Sequence, residues 1–502
     1  MLTYLGSYEP PKCDFDTVRM NLTVTSKGRQ YDRLAFMYLG DTEVFRTSTA
    51  EPTKDGIVWT YIKDMSAYNA LWKRPQRLIF DLGNQITDKY TGAFSVTLAA
   101  VFSHEGKTKT ADMIMPISAW KSKSNSPSAF IIPSDNATVL HKFPSSISRA
   151  VVSISACGQS TEEFWWSNVF SSDTETFNNT VNQLNGYSPF REIQLYIDGA
   201  LAGVVWPFPI IFTGGVAPGL WRPIVGIDAF DLREPEIDIS PFIPLISDQQ
   251  HHSFEIRIVG LHLLENGTAT PSSSVGAHWV VTGNIFVYLS DSHSLSPSTA
   301  TGFSQMPHML AAPPKVSVTR NLIKSPTGKN ESLSYSVLVE RILTISSSQF
   351  SFSQRLSYSN FGRLAQQGLS QTTNQSTSGT SAVTQLGANR KSDNVSFVYP
   401  LFVNTAYSTA NDTGLTIDAQ MKRGLSIEAT GVSGISTYTL NAGPSHLHTE
   451  QWGKAYYNSS ASGNSTSSGD TTDVFESNAG GKAYHRAVRA VNGSIVYDAE
   501  SS

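Results

Sequence analysis

A chain of 502 residues with a mass of 54.7 kDa is too long for one compact core and predicts several domains. Its 37 basic and 41 acidic residues give a net charge of −4, which excludes a protein that binds nucleic acid through a basic surface. The longest apolar run, 200–212, holds 13 residues and is broken by two prolines, so we expect no membrane span.

The pattern of β-strands runs through the whole chain. Short apolar runs bounded by Gly, Pro, Asn and Asp are typical of strands, and no long window keeps a helical apolar period. The clearest early runs are 16–25, 34–39, 44–49, 77–82 and 94–102. These runs predict an all-β protein made of antiparallel sandwiches or barrels.

Two parts of the chain repeat one plan. Residues 34–82 contain a hairpin with the turn Gly40-Asp41, an irregular stretch, an Asp-x-Ser tripeptide and a closing strand. Residues 193–259 repeat this order around the turn Asp198-Gly199, and Gly beside Asp in a two-residue loop favours a hairpin. The repeat predicts two tandem β-sandwiches, over 12–145 and 148–292.

The composition changes towards the C-terminus, where Ser, Thr, Asn and Gly dominate and Trp nearly disappears. We expect a third, β-rich domain over 313–502. Its predicted strands are 315–322, 333–346, 394–401 and 431–440, whereas 371–382 and 458–472 have the composition of mobile, low-complexity loops.

The sequons and the cysteines indicate the cellular compartment in which the protein works. Eleven N-x-[S/T] sequons occur, and Cys13 and Cys157 fit either one disulfide or two buried thiols. The first residues lack the layout of a secretory signal. A missing or cleaved signal reconciles these observations, so we expect a secreted or vacuolar protein of the secretory pathway.

Two carboxylates near the first hairpin are candidates for acid–base chemistry. Counting back from the turn places Phe36 opposite Phe45 and Asp32 opposite Thr49, with Glu51 on the same face at the open end. A carboxylate that ends an apolar stripe is desolvated, which raises its pKa towards the range of a general acid or base. The alternative is that both are solvated rim residues without a chemical role.

Aromatic segments near acids are the second group of candidates. Glu162 and Glu163 precede three consecutive aromatic residues that end at Trp166, and Trp206 and Trp221 lie in Gly- and Pro-rich segments. Aromatic rings stack on pyranose faces while carboxylates bind hydroxyls, which favours a sugar site. The alternative is that these rings seal an interface between domains.

Evidence for a metal or nucleophile motif is weak. His446, His448 and Glu450 alternate as on one face of a strand, and we interpret them as a solvated face. The sequence contains none of the common catalytic Ser, zinc or nucleotide motifs. We therefore expect no metal and no cofactor.

Taken in order, these stretches resemble the peptide:N-glycanase A family of plants and fungi, amidases that remove whole N-glycans from asparagine. The first two thirds are also similar in strand pattern to the bacterial peptide:N-glycanase F, which implies two jelly-roll-like sandwiches. The matching segments are Tyr31-Asp32-Arg33, GDTEVFRTSTAEPT (40–53), EEFWWSNV (162–169), YIDGALAGVVWPFPIIFTGG (196–215) and WRPIVGIDAFDL (221–232).

The resemblance implies a monomeric amidase that acts on N-glycosylated peptides or glycoproteins, favours acidic pH and leaves aspartate. It implies Asp32 as the primary catalytic group and Glu163 as a cleft acid, with Glu162 as the competing register. A further cleft Glu has no clear counterpart, and Glu51 is our substitute for it. The expected substrate-binding residues are Arg33, Arg46, Trp166, Asn168, Trp206, Trp221 and Arg222.

Two other functions stay open at this point. One is a noncatalytic glycan-binding relative with the same two sandwiches, and the other is an endoglycosidase, which would cut between sugars with two carboxylates. Convergence of Asp32 and Glu163 on one open groove would favour the enzyme over the binding protein.

Overall fold

The computed structural model describes residues 2–106, 110–290, 305–387, 391–410, 414–430, 445–460, 465–479 and 481–502. Antiparallel sheets form nearly all of its regular structure, and the predicted all-β class is confirmed. Among these residues the α-helices are single turns, namely α1 (Asn69–Trp72), α2 (Asn178–Val181) and α3 (Ile243–Ile246). In the described part of the chain, no helix has the length and apolar character needed to cross a bilayer.

The N-terminal unit consists of two facing sheets with strand orders β1-β6-β3-β4 and β5-β2-β7. Val18, Met20 and Leu22 alternate inward along β2 and are buried, because successive side chains of a strand point to opposite faces. They pack into a core with Phe45 and Trp72. The strands are β1 (Leu2–Tyr8), β2 (Thr17–Lys27), β3 (Leu34–Leu39), β4 (Thr42–Ser48), β5 (Ile57–Asp64), β6 (Gln76–Leu82) and β7 (Ala93–Ser103).

The central unit begins earlier in the chain than predicted. Its strands are β8 (Met113–Ile117), β9 (Phe130–Ile132), β10 (Thr138–Lys142), β11 (Ile147–Gly158), β12 (Glu192–Ile197), β13 (Ala200–Val205), β14 (Glu236–Asp238), β15 (His251–Leu263), β16 (Ala269–Ser272) and β17 (Trp279–Leu289). One sheet has the order β10-β15-β12-β13 and the other β14-β11-β17-β8. Because β8 and β9 pair with β17 and β10 pairs with β15, the strands between residues 113 and 142 belong to this unit and not to the first one.

The two hairpins of the repeat share a bulge that the predicted register lacks. In each hairpin the bulge follows the first two residue pairs after the turn. The unpaired residue is Val44 in β4 and Ala202 in β13. As a result Phe45 lies opposite Met37 and not opposite Phe36, since one inserted residue shifts every later pair by one position.

The Asp-x-Ser tripeptides form the same hydrogen bonds in both units. Asp64 accepts a bond from the Ser66 amide (2.8 Å), and Asp238 accepts one from the Ser240 amide (2.9 Å). Each serine hydroxyl then accepts the amide of a neighbouring strand, Val18 for Ser66 and a residue of β11 for Ser240. The repeat seen in the sequence is thus present in the hydrogen bonding.

The remaining strands form one long antiparallel meander, here called the C-terminal sheet. They are β18 (His308–Ala311), β19 (Lys315–Lys324), β20 (Asn330–Ser346), β21 (Phe350–Ala365), β22 (Ser370–Gln385), β23 (Lys391–Ala410), β24 (Gly414–Thr430), β25 (His446–Ser460), β26 (Ser465–Ala479), β27 (Lys482–Val491) and β28 (Ser494–Ser501). Its apolar residues share one core with the central unit, so it is not packed as a separate body.

Two loop predictions for this region were wrong. Residues 371–382 lie in β22, and the described part of 458–472 belongs to β25 and β26. These Ser/Thr-rich segments are strands because neighbours pair with them along both edges, which the composition does not reveal. The predicted strand 431–440 lies outside the described residues.

Candidate active site

Three carboxylates lie where the N-terminal and central units meet. Asp32 lies two residues before β3, and Glu51 lies three residues after β4, so the first hairpin brings both to its open end. Glu163 comes from the other unit, at the end of the 3₁₀ turn Ser160–Glu162 that follows β11. All three side chains are half-buried.

The pKa of Asp32 is raised from its ordinary value. Burial of the carboxylate is the main cause and raises the pKa to about 6, against the smaller lowering effects of its own backbone amide and of Arg33. Arg33 is oriented elsewhere, because its guanidinium donates to Gln30 at 2.7 Å. Asp32 therefore stays ionised near neutral pH while being only weakly acidic.

Glu51 and Glu163 both interact with the charge of Asp32. Burial is the main cause and the negative charge of Asp32 the second, and together they raise the pKa of each glutamate to about 7. The geometry agrees with this, because a side chain at Gly214 would meet the Glu51 carboxylate and one at the adjacent Gly215 would meet the ring of Phe164, the residue after Glu163. Near neutral pH the cluster combines an ionised Asp32 with glutamates that are partly protonated.

The segment 206–228 forms the wall behind Glu51. The Glu51 amide donates to the Thr213 hydroxyl (3.0 Å), which in turn donates to the Thr49 carbonyl (3.1 Å). Gly214 has a φ of +91°, and a side chain there would collide with the Glu51 carboxylate. The half-exposed Arg222 guanidinium lies 3.7 Å from the same carboxylate and lowers its pKa.

Glu162 does not lie at this cluster. It is fully buried and pairs with Arg191, whose guanidinium donates two bonds of 2.5 and 2.6 Å to its carboxylate. The Gly276 amide and the Trp279 indole also donate to Glu162. These bonds anchor the turn, so that the next residue, Glu163, is the one that lies at the cluster.

Five of the expected substrate-binding residues are core residues. Their exposed fractions are 1% for Arg46, 2% for Asn168 and 3% for each of Trp166, Trp206 and Trp221. The Trp206 indole donates to Glu192 and the Trp221 indole to the Gly215 carbonyl. The alternative reading, in which these aromatic residues seal an interface, describes their positions better.

Arg46 holds the two units together. It forms a buried two-point ion pair with Glu43 and donates to the Val280 carbonyl of β17 at 2.8 Å. Glu43 also accepts the hydroxyl of Thr282 at 2.8 Å. These bonds fix the N-terminal hairpin relative to the central unit, and thereby Asp32 relative to Glu163.

An aromatic pair that the motifs did not indicate lies beside Asp32. Tyr31 is 45% exposed, and its ring centroid lies 5.3 Å from that of Tyr90. The buried Gln30 side chain joins the two segments by donating to Asn84, Gln85 and the Gly92 carbonyl. Only the position of Tyr31 next to Asp32 was a usable signal, since nothing in the sequence links residue 90 to residue 31.

Other candidate features lie away from the cluster. An apolar cavity of about 290 Å³ lies between the central unit and the C-terminal sheet, and none of the three acids lines it. Cys13 and Cys157 are not bonded to each other, and burial raises the pKa of Cys157 to about 12. Among the residues that the structure describes, no group of three His, Cys, Asp or Glu is placed to hold a metal ion.

Fold and site define an all-β protein with two related sheet units and a cluster of weakly acidic carboxylates at their junction. Residues 3–305 match the family described as peptide N-acetyl-beta-D-glucosaminyl asparaginase amidase A, and residues 334–401 match the C-terminal domain of that family. The chain belongs to this family, which confirms the resemblance found in the motifs.

Two similar proteins add detail. The peptide-N4-(N-acetyl-beta-glucosaminyl)asparagine amidase A of Prunus dulcis is 36% identical over 276 residues, which are 50% of this chain and 48% of that protein. The chain thus spans about half the length of this curated relative. The solved structure of PNGF-II is 13% identical, covers 59% of this chain and 61% of its own, and has a TM-score of 0.38, too low to define a shared fold.

Proposed function

We propose that this protein is an amidase that hydrolyses the bond between asparagine and the innermost N-acetylglucosamine of glycopeptides or glycoproteins. Membership of the family and the similarity to the Prunus dulcis enzyme support this reaction. The observation that carries the proposal is the coupling of Asp32 with Glu51 and Glu163 at one partly open junction.

In the proposed reaction, water attacks the side-chain carbonyl carbon of the glycosylated asparagine. Ionised Asp32 accepts a proton from this water, and protonated Glu163 donates a hydrogen bond to the carbonyl oxygen as it gains negative charge. The C–N bond then breaks, and protonated Glu51 supplies the proton that the departing nitrogen takes. The products are a peptide with aspartate and a glycosylamine, which later loses ammonia in water.

The exposed groups around the cluster are suited to a sugar chain. The ring pair of Tyr31 and Tyr90 offers an apolar face next to Asp32 on which a pyranose can stack. The expected tryptophans are buried and therefore cannot stack on a sugar. Arg222 is 42% exposed beside Glu51 and offers donors for sugar hydroxyls.

The setting of the enzyme is part of the same proposal. We infer a monomer of the secretory pathway, secreted or vacuolar, that works without nucleic acid or membrane. The eleven sequons and the net charge of −4 support this setting. The pKa values of about 6 and about 7 support an optimum on the acidic side of neutrality.

Mass spectrometry of a defined N-glycopeptide incubated with the protein tests the proposal. Loss of the whole glycan with conversion of asparagine to aspartate is the expected result. A peptide that keeps one N-acetylglucosamine would identify an endoglycosidase. An unchanged peptide across a panel of glycans and pH values would overturn the proposal and favour the alternative of a noncatalytic glycan-binding protein.

A further inference from the structure

The segment 206–228 has two faces with different neighbours. One face forms the wall of the carboxylate cluster through Thr213, Gly214 and Arg222, all three of which contact Glu51. Apart from short turns the segment is irregular, so the regular bonding of a sheet does not fix its position. Whatever holds the other face therefore decides where this wall lies.

The C-terminal sheet holds that other face through three buried polar side chains. Arg423 donates to the Pro209 carbonyl at 2.8 Å, Thr471 to the Leu220 carbonyl at 2.9 Å, and Gln451 to the Val225 carbonyl at 2.7 Å. The three donors are at most 2% exposed. Their acceptors are spread over the whole segment, so the sheet fixes it at both ends and in the middle.

Two glycines show how closely the backbones approach each other. A side chain at Gly219 would collide with the Ser468 carbonyl, and one at Gly469 would collide with the Gly219 carbonyl. The segment therefore lies directly on the backbone of β26. Because no side chain separates the two backbones at these glycines, the segment has little freedom to shift relative to β26.

Burying the Arg423 guanidinium under the segment costs folding free energy that an apolar side chain at this position would not cost. Burial lowers the pKa of Arg423 to about 10, and its Nε and Nη1 atoms have no hydrogen-bond partner among the described residues. Its guanidinium lies over the Phe208 ring, 4.8 Å from the centroid. Buried polar groups add little stability compared with apolar side chains of the same size, but directed bonds define position.

We propose that the C-terminal sheet is a positioning element of the active site and that Gln451 and Thr471 are its positioning residues. They hold the segment 206–228 so that Gly214 and Arg222 stay against Glu51. This inference rests on the proposed amidase function and assigns a role to the sheet, whose described residues contribute none of the three acids of the carboxylate cluster.

Gln451→Met and Gln354→Met form a matched pair for the test. Both glutamines are buried and each donates to a carbonyl of the central unit, but Gln354 bonds to both the carbonyl and the amide of Val204 in β13, which is also held by its ladder with β12. We expect both variants to lose thermal stability, and Gln354→Met to lose at least as much as Gln451→Met. Only Gln451→Met is expected to lower kcat, by about tenfold or more, because a small displacement of a catalytic wall is costly.

Thr471→Val and Thr471→Ser give a second, independent pair. Valine keeps the shape of threonine but removes the hydroxyl that donates to Leu220, whereas serine keeps the hydroxyl. We expect the kcat of Thr471→Val to fall and that of Thr471→Ser to be restored. Hydrogen exchange read by mass spectrometry should show faster exchange in 206–228 for Thr471→Val and Gln451→Met, and wild-type exchange there for Gln354→Met.

The outcomes separate this inference from the proposed function. Equal kcat losses in the two glutamine variants, or unchanged exchange in 206–228, would overturn the positioning role. An inactive wild-type protein would overturn the amidase proposal, whereas the exchange measurement would still report whether the sheet holds the segment.

Discussion

At the residue scale, environment separates carboxylates that look alike in the sequence. Glu162 and Glu163 are neighbours, but the first is enclosed by Arg191, and the second meets the charge of Asp32. The acids and their neighbourhood followed from the motifs, whereas the choice between the two registers did not. That choice depends on Arg191 reaching back across 29 positions, and a single sequence carries no trace of such a contact.

The pH dependence of activity follows from the raised pKa values. Asp32, with a pKa of about 6, must be ionised to accept a proton, and Glu163, with a pKa of about 7, must be protonated to donate a hydrogen bond. We expect kcat/KM to rise through about pH 6 and to fall beyond about pH 7. A profile that is flat across this range would show that these groups do not control the reaction.

Substitution of the neighbouring glutamates should separate structure from chemistry. Glu162→Gln removes one partner of a fully buried ion pair and should cost about 3 kcal/mol or more of unfolding free energy. Glu163→Gln should leave stability unchanged or raised at neutral pH and abolish most activity. Thermal unfolding and glycopeptide turnover measure the two effects. Loss of activity in Glu162→Gln together with loss of stability in Glu163→Gln would contradict these assignments.

At the element scale, the repeat was predictable, but its details were not. The turns Gly40-Asp41 and Asp198-Gly199 predict two hairpins, and both are present. The bulges at Val44 and Ala202 were missed because an extra residue in a strand leaves no mark in an apolar run. The predicted diagonal of Asp32 and Glu51 was therefore derived from a shifted register, although both residues do lie at the same open end of the hairpin.

The two Asp-x-Ser tripeptides should be energetically equivalent. Ser66→Ala and Ser240→Ala each leave the buried amide of a β-strand without its acceptor, which costs about 1–2 kcal/mol. The exposed Ser124→Ala is the control and should have little effect. Chemical denaturation measures the losses, and a large difference between the first two would show that the hydrogen bonds, though alike, contribute unequally.

At the scale of the whole molecule, the sequence predicted an all-β chain but not how its parts share a core. The boundary expected at 145 ignores that β8 and β9 pair with β17, far along the chain. The C-terminal strands were harder to predict, because Ser and Thr give no apolar alternation along β22. The meander and the contact with the central unit determine which strands pair. Both are features of the tertiary structure, so the local sequence does not reveal them.

The carboxylate cluster should lower the stability of the whole protein at neutral pH. The pKa of Asp32 rises from 3.8 to about 6 on folding, so the folded state binds more protons in this window and stability falls as pH rises through it. Asp32→Asn should raise stability by about 1–2 kcal/mol at about pH 7.5 and have little effect at about pH 4. Thermal unfolding at the two pH values measures this, and destabilisation at the higher pH would mean that Asp32 is held by favourable contacts.

The most direct test of the central claim is turnover of an N-glycopeptide by Asp32→Asn in water labelled with heavy oxygen. The exposed Asp55→Asn serves as the control. We expect the wild type and the control to place one heavy oxygen atom in the aspartate of the peptide, and Asp32→Asn to lose at least about a thousandfold in rate. Near-wild-type turnover by Asp32→Asn, or label found in the sugar and not in the peptide, would contradict the account.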